Sequence, residues 1–499
     1  MSEIFTLKNN PSLKPLVRQI RDDFIEMTGL ILANIFLVYF APSIVRDSLF
    51  PIFLVLFWHS KKNYFWFAYL FLLLNAPAGL FYGLNYADPF RLPMYKIGGS
   101  FSFRFLDLFV ILALFKGFVK GSPKRIWVNK PIKIIFFYLL LITIPISFIL
   151  NVQIATFANN FRAVFYYSAF VSMLMLIRKK EEMILFGYLL LPYMLLIFAN
   201  QLMSILLNFR LKSLLISNYR QVRIVNSITG ESRLYISGTL VVFFSLIFAM
   251  LINGNRKYSL FRFQSEIIIL ISSLIILLTA TRVWITIYAV SIFVFFLISD
   301  RTISKVSRFS TFTIIGIIIA ISTQMVNIDY IERNIFNRYF PTIRALAYGD
   351  LDKTDTLTDR FNNDIPKVLA GLEQSPILGV GLSNLYRKHY SNDLGFLNTM
   401  LLFGIVGTIL FFIFLINFYL KMLRFYYVAK RENFEHAKFV PPLLAAWAGI
   451  IVGYAFTWDF FSFYPYKIVF ISVLLAFSEV IVWDYKKVKN DNLKLKNTG

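Results

Sequence analysis

Arg360 stands sixteen residues ahead of Pro376-Ile377-Leu378-Gly379-Val380-Gly381. Between them Ile365, Val368, Leu369 and Leu372 recur at helical spacing, which predicts a short helix over Leu357–Leu372 with Asp355 or Thr358 as its cap. Pro376 should end that helix, and the two glycines allow a tight turn with positive φ. An arginine at the head of such a unit suits an anion with two prongs, because a planar guanidinium grips phosphate or carboxylate through parallel hydrogen bonds. More arginines share the surrounding polar stretch: Arg333, Arg338, Arg344 and Arg387. A second polar stretch, Asn208–Leu234, holds Arg210, Arg220, Arg223 and Arg233, and the turn Thr279-Ala280-Thr281-Arg282 ends on another. Carboxylates that could take a proton are Asp393, then Asp359 and Asp355; His389 lies one helical turn before Asp393. Gly404-Ile405-Val406-Gly407 follows, and small residues at this spacing suit close contact between helices.

The elements that must position these residues are membrane-buried. Of 499 residues, 58% are hydrophobic and 18% aromatic, with 56 Phe and a mean hydropathy of +0.65, too apolar for a soluble domain of this length. Stretches such as Ile267–Leu278 are apolar all round, as lipid-embedded helices are. Fourteen spans are predicted, near 28–44, 47–58, 64–80, 105–118, 134–150, 162–177, 183–207, 235–253, 266–280, 283–299, 310–326, 394–419, 441–457 and 467–483. The first two could form one re-entrant hairpin, which leaves twelve. The expected fold is therefore an all-α polytopic bundle of 12–14 spans. A large, partly helical polar segment, 327–393, lies between two late spans. Residues 1–27 and 484–499 form cytosolic ends, the first span staying uncleaved. Pro145 and Pro192 fall inside spans, where neighbouring helices can satisfy the freed carbonyls.

Orientation follows from the basic residues. With both ends in the cytosol, inner segments carry 31 of 51 Lys and Arg and outer segments 20, the positive-inside pattern. The two faces also differ in kind: 21 Lys and 10 Arg inside, 6 Lys and 14 Arg outside. Lys suffices to meet an anionic leaflet. For any single arginine a solvated charge or interfacial anchor is the ordinary role. As a set, the outer arginines point to recognition of an anionic substrate on the far side of the membrane. The net charge of +24 is mostly membrane-surface charge, and nothing in it calls for nucleic acid. Absence of Cys excludes disulfides, thiolate nucleophiles and Cys-based metal sites, and His59, His389 and His436 are too scattered for a metal site. Asp107 is expected to pair with Arg104, Glu479 to snorkel toward the cytosolic interface, and Asn75, Asn200 and Gln201 to bond between helices.

From about Arg233 to Gly407 the layout resembles the O-antigen polymerase and O-antigen ligase superfamily of bacterial envelope enzymes. The features are an arginine in an earlier outer loop (Arg233), a Thr-x-Thr-Arg turn (Arg282), and Arg360 followed by Pro376, Gly379 and Gly381. Two positions depart: Asp364 stands where a tryptophan is common, and Asp393 where the ligases place a His. The second departure puts polymerase ahead of ligase. The resemblance implies a plasma-membrane glycosyltransferase without cofactor, acting on a polyprenyl-pyrophosphate-linked oligosaccharide. Membrane lipid is an implied partner, and a chain-length-regulating co-polymerase a candidate one. It implies catalytic roles for Arg360, Arg282 and Arg233, with Gly379 and Gly381 at the substrate; from the residues themselves Asp393 is the first candidate proton acceptor, and Arg220, Arg223, Arg338, Arg344 and His389 are candidates around the substrate. A flippase for the lipid-linked sugar is the alternative of another class; it would need charges inside the bundle rather than in loops. Because Arg can stabilise a departing pyrophosphate without metal, glycan elongation by the purified protein is expected to persist in a strong chelator. Complete loss restored by magnesium or manganese would refute this.

Overall fold

The computed structural model describes residues 14–75, 94–97, 101–122, 130–206, 222–225, 232–235, 238–261, 263–278, 282–299, 360–391, 394–456, 460–461 and 465–498. The fold is all-α. The N-terminal half holds α1 (Lys14–Tyr39), α2 (Ser43–His59), α3 (Asn63–Asn75), α4 (Phe105–Lys120), α5 (Lys130–Tyr138), α6 (Ile144–Ile149), α7 (Ile154–Phe165), α8 (Ser168–Leu176) and α9 (Lys180–Leu206). After these come α10 (Thr239–Gly254), α11 (Gln264–Leu278), α12 (Arg282–Ile298), α13 (Ile365–Leu372), α14 (Asn384–His389), α15 (Gly395–Arg431), α16 (Val440–Phe456) and α17 (Pro465–Thr498). Two antiparallel ribbons, β1 (Met94–Ile97) with β2 (Phe101–Arg104) and β3 (Val222–Val225) with β4 (Ser232–Tyr235), are the strands among the described residues.

Within the described residues, four segments are long and apolar enough to cross a membrane: Lys180–Ala199, Gly395–Arg431, Glu435–Ala455 and Tyr466–Asn492. Shorter apolar helices cover Asn63–Leu74, Lys133–Ile149, Thr239–Gly254, Gln264–Leu277 and Val283–Ile298. The centre is α10, buried on every side from Thr239 to Ile252, which explains why its sequence has no polar face. It packs on α3, α9, α11 and α16. Phe71, Phe186, Phe244 and Phe477, from α3, α9, α10 and α17, meet at ring-centroid distances of 5.0 to 6.0 Å. Phe-rich helices interlock here through ring geometry as well as area.

Polar residues gather where helix ends and connections meet. Lys180 and Lys257 both reach Glu435 (3.2 and 2.5 Å), His436 meets Asp484 at 3.1 Å, and Arg178 donates to Lys120 O at 3.2 Å. Each of these residues falls on a connection or helix end that the basic-residue count assigns to the inner face, so the predicted alternation brings together segments that do touch. Several local expectations need correction. Glu479 does not snorkel: it is buried and paired with Lys421 of α15 at 2.6 Å, because two neighbouring helices supply the partner that water would otherwise be. The carboxylate of Asp107 is shared more widely than a pair with Arg104. It accepts from the Arg104 backbone N–H (2.8 Å) and from Tyr166 Oη (2.8 Å), and forms an ion pair with Arg162 Nε at 3.2 Å. The predicted span 162–177 is broken between α7 and α8, where Tyr166 and Tyr167 turn aside to bond Asp107 and Phe460 O.

The first two predicted spans are separate helices, and α1 begins well before residue 28 because Asp23 finds Lys62 at 2.8 Å. Pro145 is accommodated by a π-helical stretch, Leu139–Thr143, immediately before it. Gln201 bonds between helices as expected, to Ile275 O at 3.2 Å. The predicted span 310–326 lies outside the described residues.

Removing the Asp107 carboxylate takes the buried acceptor from Tyr166 and one partner from Arg162. Asp107→Ala is expected to cost about 3–5 kcal/mol, measured by SDS-induced unfolding in mixed micelles. An unchanged unfolding midpoint would show that this cluster does not hold α4 to α7.

Candidate functional site

The segment that carries Arg360 and the two glycines is built onto a break in α15. Gly404 has φ 67° and ψ −174°, a conformation closed to L-residues, so the helix ladder is interrupted there. Backbone donors and acceptors freed at the break must find partners, since lipid offers none. The turn Pro376–Gly381 supplies them on both sides. Val380 N donates to Leu401 O (2.8 Å) and Gly381 N to Leu402 O (3.1 Å). In return Ile405 N donates to Pro376 O (3.0 Å) and Val406 N to Ile377 O (3.2 Å). Tyr138 Oη takes the next carbonyl, Phe403 O, at 2.8 Å. Gly379 and Gly381 have φ of 77° and 60°, the left-handed conformation expected of them. The approach also excludes a side chain: a Cβ on Gly379 would stand 2.3 Å from Gly404 N, and one on Gly404 would stand 2.2 Å from Ile377 O.

N-terminal helices complete the platform. Ser147 Oγ accepts from Leu382 N at 2.7 Å while donating to Thr143 O. Asn160 Nδ2 donates to Leu382 O (2.9 Å) and Ser383 O (3.2 Å), and Tyr386 Oη to Phe461 O (3.0 Å). Asn398, fully buried in α15, accepts from Ser391 N at 3.1 Å and donates to Ser391 O, which fixes the chain two residues before Asp393. Hydropathy alone does not single out Ser147, Asn160 or Asn398. Their signal is an amide or hydroxyl in or beside an apolar span, which in lipid requires a partner.

The predicted helix over Leu357–Leu372 is described from Arg360 onward. Arg360–Asp364 forms a π-helical turn leading into α13, and Arg360 is half-buried at its head. The helix ends at Leu372, four residues short of Pro376. His389 is held by the neighbouring helix. Its Nδ1 lies 2.7 Å from Lys367 O, and a carbonyl only accepts, so Nδ1 donates there and the bond fixes how the ring is turned. Lys367 Nζ returns a bond to Tyr390 O at 3.0 Å, so α13 and α14 clasp each other. Thus Arg360, the turn with Gly379 and Gly381, and His389 belong to one packed unit. Arg282 opens α12. Arg223 and Arg233 sit on the β3–β4 ribbon, whose register pairs Arg223 with Leu234 and Ile224 with Arg233. Arg220, Arg338, Arg344, Asp359 and Asp393 lie outside the described residues, as do the capping candidates Asp355 and Thr358. Among the described residues no three His, Asp or Glu side chains gather as a metal-holding group. The Gly404/Gly407 pair serves two ends: Gly404 breaks the helix, and Gly407 alone makes the expected close helix contact, against Tyr138 of α5.

Comparison with protein-family models gives no match, and comparison with curated proteins gives none either.

Because the docking consists of backbone bonds around three positive-φ glycines, a methyl group should release it. Gly404→Ala and Gly379→Ala are each expected to cost about 1–3 kcal/mol in backbone strain alone. Limited proteolysis would read this as faster cleavage within Arg360–Tyr390, the rest of the chain staying intact. Cleavage at the wild-type rate in both variants would show that the turn holds without them.

Proposed function

We propose that the protein is a membrane glycosyltransferase that polymerises polyprenyl-pyrophosphate-linked oligosaccharide repeat units at the outer face of a bacterial plasma membrane. The observation that supports this reading is the docked Arg360–His389 unit. It sets a half-buried arginine and an oriented imidazole on one scaffold beside the N-terminal part of α15, whose other end leads to Glu435 and its ion pairs with Lys180 and Lys257. In the proposed reaction a sugar hydroxyl of the acceptor attacks the anomeric carbon of the donor. The new C–O bond forms as the bond to the lipid pyrophosphate breaks, and the pyrophosphate leaves with the electron pair. Arg360, with Arg282 and Arg233, would stabilise the charge gathering on that leaving group, where donors held in place by the fold need little reorganisation. The hydroxyl proton passes to a carboxylate late in the step, and Asp393 is the proposed acceptor. Asn398 supports that assignment by anchoring Ser391 just upstream. His389, whose Nδ1 is committed to Lys367 O, is the other candidate on the same unit.

The test is genetic complementation with surface glycan resolved by length. Arg360→Ala is expected to abolish long-chain polymer and to accumulate unpolymerised lipid-linked repeat, while Arg360→Lys recovers only a fraction of activity, since Lys lacks the fork. Normal polymer from Arg360→Ala at wild-type protein abundance would sink the proposal. In the same strain Asp393→Asn keeps a capping oxygen and loses the charge, so it should be inactive. If it polymerises at the wild-type rate while His389→Ala is dead, proton transfer belongs to His389.

A further inference from the structure

Along α15 the exposed apolar residues form one stripe: Ile405, Val406, Ile409, Ile413, Ile416 and Leu420. That is the face a membrane-crossing helix turns to lipid. The stripe begins abruptly at the Gly404 break, and from Gly395 to Gly404 no residue of the helix is exposed. The docked turn takes its place. Ile377 and Leu378 are 62% and 37% exposed, and the bonds from Ile405 N to Pro376 O and from Val406 N to Ile377 O set them directly beside the top of the stripe. Phe361 and Leu369, at 52% and 41% exposure, extend the same apolar character into the π-turn and α13.

Depth can be counted along the helix. No charged residue occurs from Gly395 to Leu420, and Lys421, paired with buried Glu479, marks the inner limit of the apolar stretch. A hydrocarbon layer of about 30 Å takes about 20 helical residues, which counted back from Lys421 reaches about Leu401. The break at Gly404, with Ile377 and Leu378 beside it, then falls just inside the outer hydrocarbon boundary.

We infer that the Arg360–Leu378 segment is a membrane-seated element: lipid chains cover Ile377 and Leu378, and α13 rests at headgroup level with Phe361 and Leu369 turned toward the acyl layer. The partner is the lipid surface itself. This placement stands whether or not the chain is a glycosyltransferase. It adds that Arg360 works at the height where a lipid-borne phosphate resides.

The chain has no Cys, so single cysteines can be placed without altering the background. Ile377→Cys, Leu378→Cys and Leu369→Cys would be made in the full chain and reconstituted in phosphatidylethanolamine–phosphatidylglycerol vesicles. Ile409→Cys serves as the lipid reference and Lys388→Cys, on exposed α14, as the aqueous one. Each receives a nitroxide whose collisions with oxygen and with a water-soluble nickel chelate are compared. Residues 377 and 378 should favour oxygen as 409 does, and react with a charged maleimide about tenfold or more slower than 388, as burial in the acyl layer demands. Position 369 should fall between. Nickel access and labelling equal to 388 would overturn the inference. So would protection from both reagents, which would mean that protein rather than lipid covers the face. None of these readouts depends on catalytic activity, so failure of the polymerase proposal leaves them unaffected.

Discussion

A broken helix in lipid has unpaired backbone groups, and the structure of the candidate site follows from how those groups are paired. Gly404 interrupts α15; Leu401 and Leu402 then offer carbonyls, and Ile405 and Val406 offer N–H groups, with no helical partner. An unpaired peptide group in an apolar medium costs several kcal/mol, more than the strain of a left-handed glycine. The Pro376–Gly381 turn answers all four groups at once, and its own backbone is satisfied in the same exchange. Everything nearby is arranged around that exchange: Tyr138 on the next carbonyl, Ser147 and Asn160 on the chain leaving the turn, and α13 clasped to α14 through Lys367 and His389.

Two scales of polarity organise the rest of the molecule. Charged side chains buried between helices carry their own partners, as Glu479 does in Lys421 and Asp107 in Arg162. Around each helix, burial rather than polarity separates inside from outside, since lipid-facing and core-facing residues are equally apolar. The wholly buried α10 and the half-exposed α15 have much the same kind of sequence. What distinguishes them is enclosure: neighbouring helices bury α10 from Thr239 to Ile252, while α15 leaves Ile405, Ile409, Ile413 and Ile416 uncovered.

That equivalence sets what was legible beforehand. Apolar runs located nearly every helix, and the two glycines before Val380 and Leu382 announced their positive φ. The role of Gly404 was not legible as a break, because Gly-x-x-Gly in an apolar run ordinarily signals close packing and Gly407 does pack in that way. The fate of Glu479 was hidden for a related reason. Its partner Lys421 is 58 residues away, and only the packing of α15 on α17 brings them together. His389 was visible as a residue but not as an oriented ring, since orientation comes from a backbone carbonyl, and carbonyls are the same at every position. The same holds for the whole docking: it is made by main-chain atoms, so only the residues that lack a side chain betray it.

The distances in sequence between bonded partners have a consequence for how the protein is assembled during synthesis. The turn and its break are separated by only about two dozen residues, so closing that loop costs little entropy, and pairing can form as α15 leaves the ribosome. Ser147 and Asn160 are 235 and 222 residues away from Leu382, and those bonds join pieces made far apart in time. The local exchange therefore comes first, sparing the nascent helix any exposure of bare peptide groups to lipid. The finished hairpin then arrives as a preformed part, and the waiting N-terminal helices need only receive it.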